Sequence, residues 1–598
     1  MHHPFLTPPN TTDSYITSFG GLDRSPVCPE NFFSDTFNTS SDSYPLLSVR
    51  DKRARLTVFN GRPSSLLTVN GITFTCGSSL YYNGVLQYDN LIPDTKKQLV
   101  AMGSKLIVFP DGYYINTLSA DQNGLCTEQG YITSKKTYNF STYIAITPCD
   151  DSGIQPTVSS VPPDVESSSL WLDDTIYPNI LKKYSPDTNE WVEIEATHTH
   201  IGMDNVHEYV TPGKLTEICG IDSWVDGISM ITSVGEGYFT VNKKSEHFKA
   251  FEISADETVV FSSVLPRLDF VCEHQNRLFG CRYGIDNSGK FVNEIYASKL
   301  GDPGEWTAYS GLSTDSYAAS CGSEGPFTGI ASHLGYVVFF KENRIHRLFG
   351  TKPANYTLYE DLYPGVAIGS EGSLCLADGI LYYLGNNGVY AYSGSSPTLI
   401  SSKLGNEKLH DGVGGKSKNK YYLSVRNNSG DFELYTYDLR YSIWHKEDSV
   451  RYIFLSPLEG SLLGIKSSND VFSLELLSSK EIPSLCKKLY DSSISYESSL
   501  KWSAESGYLG FFTDTNKFLS KLRIRLETGD NCSFTVFYKT DSSNVWHECG
   551  SIKGKKAGAY SLHFVPPRCD KIKLLIKGTG SCMIRSVSKT FEYAGEVM

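Results

Sequence analysis

Three histidines, two pairs of carboxylates and one glycine-rich turn come nearest to chemistry in this sequence. His198 and His200 alternate in the segment THTH, so on a strand both point to one face, and His207 follows closely. Imidazoles so placed suit a metal ion, but no Cys, Asp or Glu stands at a matching spacing. Paired surface histidines are therefore expected, with no metal site. Asp173-Asp174 and Glu193 with Glu195 would suit a glycosidase, in which two carboxylates divide the acid and base work. As acidic pairs on solvated loops they would carry no chemistry, and that is the expectation. Gly414-Gly415-Lys416-Ser417 ends like a phosphate-binding loop, but His410 stands where the first glycine would be. Its flanks read strand-turn-strand and open no helix whose N-terminus would hold phosphate. The patterns GxGxxG, HExxH and GxSxG do not occur. Asn-x-Ser/Thr sequons such as those at Asn139 and Asn355 follow from a composition rich in Asn, Ser and Thr. No catalytic residue, no cofactor and no metal ligand is expected, and the chain does not read as an enzyme.

The elements that carry these residues read as strands. Aromatic residues make up 13% of the chain and 51 glycines punctuate it, with little helical periodicity, which points to an all-β protein. The clearest stretch runs from Pro326 to Gly394 and holds two near copies of one unit, Gly329 to Gly350 and Ser373 to Gly394. Each has a small-apolar strand, a turn, an aromatic strand, a polar turn and a third strand ending in glycine. Leu381, Tyr383, Val389 and Tyr392 follow strand spacing, and Asn387-Gly388 is taken as the hairpin turn. Similar patterns occur at KQLVAMGSKLIVFPDGYYINT, FVCEHQNRLFGCRYG, the segment Lys418 to Asp448 and the segment Tyr452 to Glu475. Six or seven such units suggest a propeller whose ring is closed by N- and C-terminal strands.

The expected organisation is an extended N-terminal arm at 1–55, a first propeller part at 56–130, an inserted β domain at 131–260, a second propeller part at 261–480 and a C-terminal β-sandwich at 481–598. The arm is rich in Pro, Ser, Thr and Asn, and is expected to wrap a neighbouring subunit. Nothing approaches the length of apolar chain that crosses a membrane as a helix. The N-terminus lacks the charged and apolar regions of a signal peptide, so accumulation in the cytoplasm of the producing cell is expected. The 14 cysteines show no framework spacing and read as buried free thiols. A net charge of −12 argues against a general nucleic-acid binder.

The run Gly20-Gly21-Leu22, then acidic and aromatic residues, then Tyr44-Pro45-Leu46-Leu47-Ser48 and Arg50 to Arg53, resembles the opening of bacteriophage tail proteins of the nozzle, or packaged-DNA stabilisation, class. The pattern NRLFGCRYG followed by NEIYASKLGDPGEWTAY resembles their internal repeat, and PPRCDKIKLLIKGTG is similar to the end of prophage-encoded tail propeller proteins. The inserted domain has no counterpart in this resemblance. It implies a structural protein of the virion tail, assembled in the host bacterial cytoplasm. The implied assembly is a ring of identical copies, a hexamer, around a channel that phage DNA crosses without specific binding. The implied partners are adaptor or portal-side tail proteins on one side and tail fibres or tip proteins on the other, with no membrane. Gly20, Gly21, Tyr44, Pro45, Arg50 and Arg53 would be the assembly residues of the arm. Two alternatives stay open: a host-recognition module whose C-terminal sandwich binds surface glycan, and a propeller glycosidase.

Overall fold

The computed structural model describes residues 11–139, 144–222, 225–244, 258–285, 290–510, 516–529, 532–553, 557–562 and 565–593. The described chain is all-β, built from many small sheets and one short α-helix, Ser484–Tyr490. No described helix is long and apolar enough to cross a membrane.

Four-stranded sheets, each ordered as its strands occur in the chain, span residues 63–88, 98–131, 270–320, 327–361, 375–399 and 410–448. A further sheet is built from Arg451–Leu458, Ser461–Ser468 and Val471–Leu476, and it is completed by Ala54–Phe59 from the far N-terminal side and by Ser495–Tyr496. Short turns make these sheets possible. Gln275 and Asn276, both at positive φ (50° and 60°), join Phe270–His274 to Arg277–Ile285 in the two-residue turn that suits the twist of paired strands. In the second copy of the repeat the turn differs from the sequence expectation. Gly385 pairs with Gly388, so Asn386 and Asn387 form the loop, and the positive φ (131°) falls on Gly388 alone. Only glycine enters that region at no steric cost.

The chain divides into two compact units, one of Met1–Lys97, Val338–His346 and Glu360–Met598, the other of Gln98–Val337 and Arg347–Tyr359. Within the first unit the opening strands Cys375–Ala377, His410–Ser417, Arg451–Leu458 and Pro63–Leu67 lie side by side in that order. Within the second, Gln98–Met102, Phe270–His274 and Phe327–His333 do the same. The second unit also holds a seven-stranded sheet formed between residues 135 and 263, with a core that includes Ile146, Ile201, Phe239 and Phe261, and a separate four-stranded sheet between residues 157 and 193.

In the first unit two further sheets face one another across a common core of Trp502, Leu522, Ile524, Phe534, Val536 and Ile584, among others. Strands such as Ser533–Thr540 alternate strictly between buried and half-exposed residues, as a sheet with one covered face requires. Each such apolar side chain stabilises the fold by about 1.5–3 kcal/mol.

The segment expected as an extended arm at 1–55 pairs with strands of its own chain. Thr11–Ile16 pairs with Cys582–Tyr593, Phe33–Phe37 with Lys501–Ser506, and Leu47–Val49 also with Cys582–Tyr593. Phe19, Phe33 and Leu47 enter the shared core of the two sheets, and Leu22 enters a core with Tyr421, Tyr435 and Trp444. A segment that cannot bury a core alone has found one in its own chain. The seventh sheet likewise runs past the expected boundary at 480, because Ser495–Tyr496 pairs with Ala54–Phe59.

Candidate functional site

All six residues singled out in the N-terminal segment make contacts inside the first unit, and two of them, Arg50 and Arg53, belong to an ionic junction. The chain enters it through two glycines. A Cβ on Gly20 would lie 2.3 Å from the Phe32 ring, and one on Gly21 (φ 81°) would lie 2.5 Å from the Trp444 carbonyl oxygen. With no side chain in the way, the Leu22 N–H donates to that same carbonyl at 2.6 Å. Further along, Tyr44 stacks on Tyr441 with centroids 4.2 Å apart, and the Pro45 carbonyl accepts from the Phe19 N–H at 2.9 Å.

Charged residues then tie the segment to strands on both sides. Arg24 donates to Asp35 at 3.1 Å, to Glu433 at 3.3 Å and to the Tyr435 hydroxyl at 2.7 Å, and Lys446 reaches Glu433 at 3.0 Å. Arg50 donates to Asn38 at 2.6 Å and grips both carboxylate oxygens of Glu497 at 2.8 and 3.0 Å. Arg53 is almost wholly buried and bridges Glu447 at 3.0 Å and Asp448, with its guanidinium 5.5 Å from the centre of the Tyr452 ring. Lys420 pairs with Asp42 at 2.8 Å, the Ser41 hydroxyl donates to Asp438 at 2.6 Å, and Thr39 meets His445 Nδ1 at 3.0 Å.

Burial sets the electrostatics. It works against charge on Arg53, but Asp448, Tyr452 and Glu447 outweigh it and hold the group well above its ordinary range. Two carboxylates share that one guanidinium, and burial raises Glu447 above the usual range in spite of it. Glu497 and Glu433 are also opposed by burial, yet the hydrogen bonds they accept keep both low. His445, fully enclosed, is pushed down to about 3 by desolvation. Bidentate, charge-assisted bonds of this kind fix geometry as well as adding energy. Losing one partner would leave a buried charge unpaired, at a cost of about 3–5 kcal/mol. The arrangement can clamp three stretches of chain together, and its carboxylates are all spoken for by cations.

The other sequence candidates are not brought together. His200 is buried against Tyr238, where the sequence suggested a surface residue, and burial lowers its pKa to about 4. Its strand neighbour His198 is half-exposed beside Thr197, and His207 is exposed in the short turn Val206–Glu208. Among the described residues, no three metal-ligating side chains converge. Asp173, expected on a solvated loop, is buried, and hydrogen bonds from Lys182 at 2.8 Å and from Thr175 lower its pKa to about 2. Asp174 and Glu193 are exposed, and Glu195 pairs with Lys244. Gly414 and Gly415 lie in the strand His410–Ser417, where a Cβ would come within 2.5 Å of the Ser373 carbonyl oxygen and 2.8 Å of Leu455. These glycines serve close packing between sheets, and no helix opens after them.

Sequence reasoning missed Arg24, Lys420, Glu433, Asp448 and Glu497. For Glu433 and Asp448 the signal was present in the second half of the repeat array, where DFELYTYDLRYSIWHKED places charged residues at inward strand positions between aromatics.

No protein-family model matches the chain, and no curated protein matches it. Solved structures similar to it include an exo-beta-1,3-galactanase from Phanerochaete chrysosporium with galactose (10% identity, 54% of this chain and 95% of that one, TM-score 0.21). The phage phi92 endosialidase is similar at 10% identity over 76% of this chain and 74% of that one, with a TM-score of 0.25. U3-55K is similar at 8% identity over 71% of this chain and 98% of that one, with a TM-score of 0.28. At these identities and TM-scores none of them passes an activity, substrate or partner to this chain.

Proposed function

We propose that the chain is a β-propeller with an inserted β domain, followed by a C-terminal β-sandwich, and that it serves as a structural ring component of a bacteriophage tail. In this reading the seven small sheets outside the insertion are the blades. The observation that carries it is the closure of the last of them by Ala54–Phe59, a strand from the other end of the chain. Closure by a distant strand is how a ring of blades removes its open edge. The side-by-side opening strands within each unit support the same reading. The ionic junction suits a part that must hold its shape under force, because it clamps the N-terminal segment between the last two sheets and the strands at 495–506.

The tail role rests on the resemblance of the N-terminal run, the internal repeat and the C-terminal run to nozzle-class proteins. A chain of net charge −12 suits a conduit, since a lumen with few Lys or Arg facing it would let DNA slide. Negative-stain images of the purified protein test the reading. Closed rings of identical copies are expected, and a protein that stays monomeric at micromolar concentration would contradict it.

A further inference from the structure

We propose that the outer face of the sheet containing Lys501–Ser506 and Ile572–Thr579 is a binding groove for an acidic polysaccharide, a sugar chain bearing carboxylates. This goes beyond the structural role above and does not depend on it. The register builds the groove. Phe37, Ser503, Lys577 and Thr535 lie in one row across four neighbouring strands, and Lys501, Thr579 and Ser533 form the next row. Together they line a depression of about 380 Å³. Its floor is closely packed: Trp502 lies beneath the sheet against Gly578, where a Cβ would come within 2.5 Å of the indole.

Charge and hydrogen-bonding chemistry both select the occupant. Lys501 and Lys577 are exposed and have no ion-pair partner among the described residues; the Lys577 ammonium lies 6.0 Å from the centre of the Phe537 ring. Lys553, on the adjoining strand opposite Ser533, adds a third cation. Two acidic groups on this face are paired with other cations, Glu505 with Lys573 at 2.9 Å and Asp35 with Arg24 at 3.1 Å; Glu548, at the groove edge, accepts from the Ser551 hydroxyl at 3.0 Å and keeps its charge, so the three lysines outnumber the carboxylates left without a cation. In a chain of net charge −12 this leaves a local positive face. Ser533 and Thr579 are 3.1 Å apart, and Thr535 and Ser551 2.9 Å. Hydroxyls both donate and accept, which matches the hydroxyls of a sugar. The half-buried Phe37 offers an apolar surface to the C–H face of a sugar ring. Duplex DNA, with a charge about every 1.7 Å, would require a ladder of cations that this face lacks.

The full-length protein should be titrated with polygalacturonate, with neutral dextran and with duplex DNA at low salt. Binding of polygalacturonate alone is expected. The double variant K501Q/K577Q should weaken it by about tenfold or more, as loss of hydrogen bonds to charged groups does. S533A/T579V, which leaves the charge unchanged, should weaken it about threefold to tenfold. K521Q, an exposed lysine of the other sheet, serves as a control and should have no effect. If the double lysine variant does not fold, the single variants K501Q and K577Q read the same loss. The proposal is overturned by absence of polygalacturonate binding, by either groove variant binding undiminished, or by duplex DNA binding as tightly as the polysaccharide.

Discussion

Arg53 is the residue on which the junction most depends, because it is buried and answers two carboxylates at once. Replacing it with Ala strands Glu447 and Asp448 in the interior. The expected loss is about 3–5 kcal/mol in unfolding free energy, read by denaturant titration of the transition that involves this unit. The triple variant R53M/E447Q/D448N should recover part of that loss, since neutral partners need no counter-charge. Acid should weaken the protein in two stages, the first in the junction through His445 and elsewhere through His200 and His346. His445 at about 3, and His200 and His346 at about 4, are all held below the ordinary histidine value by burial. The unfolded chain therefore takes up protons first, and stability present above about pH 6.5 falls by about 1.4 kcal/mol per pH unit for each such histidine until its folded pKa is reached. Glu433, Glu497 and Asp438, held below the carboxylate range, contribute stability that disappears at lower pH, as each is protonated in the folded state. Glu447, raised by burial, opposes this in the carboxylate range. The melting temperature should fall steadily between pH 7 and pH 4, and a flat profile would show that these side chains are not enclosed as described.

At the scale of elements, the repeats were legible because their turns carry a local code. Gly103-Ser104 and Gln275-Asn276 sit where paired strands reverse, and residues such as Phe339 and Tyr383 lie in the aromatic strands of the repeat and are fully buried. Pairing over long sequence distances was not legible. Ala54–Phe59 reads as the first strand of an array, and nothing local says that its partner is Val471–Leu476. The partners of the N-terminal segment within its own chain were not legible for the same reason. Its Pro, Ser and Asn residues look like linker, while the strands that accept it lie hundreds of residues away. Among the candidate residues, glycines 20 and 21 and arginines 50 and 53 were marked as a group, but their carboxylate partners could not be assigned without that pairing. Deleting residues 1–53 uncovers the cores entered by Phe19, Leu22, Phe33 and Leu47, so the product should be aggregated or should expose apolar surface to a hydrophobic dye. A soluble truncated protein with an unchanged melting temperature would mean that the segment is dispensable to the fold.

For the whole molecule, the proposed ring role and the proposed polysaccharide groove make separate demands. The groove needs one exposed face on one copy, and its loss would leave assembly untouched. The ring needs identical copies in a fixed number per particle. The measurement that tests the proposed place in the tail most directly is quantitative mass spectrometry of gradient-purified phage particles for this chain against the major capsid protein. A constant copy number of about six, matching one cyclic ring, is expected. Absence of the chain from intact particles, or a copy number that varies between preparations, would contradict a structural place in the tail.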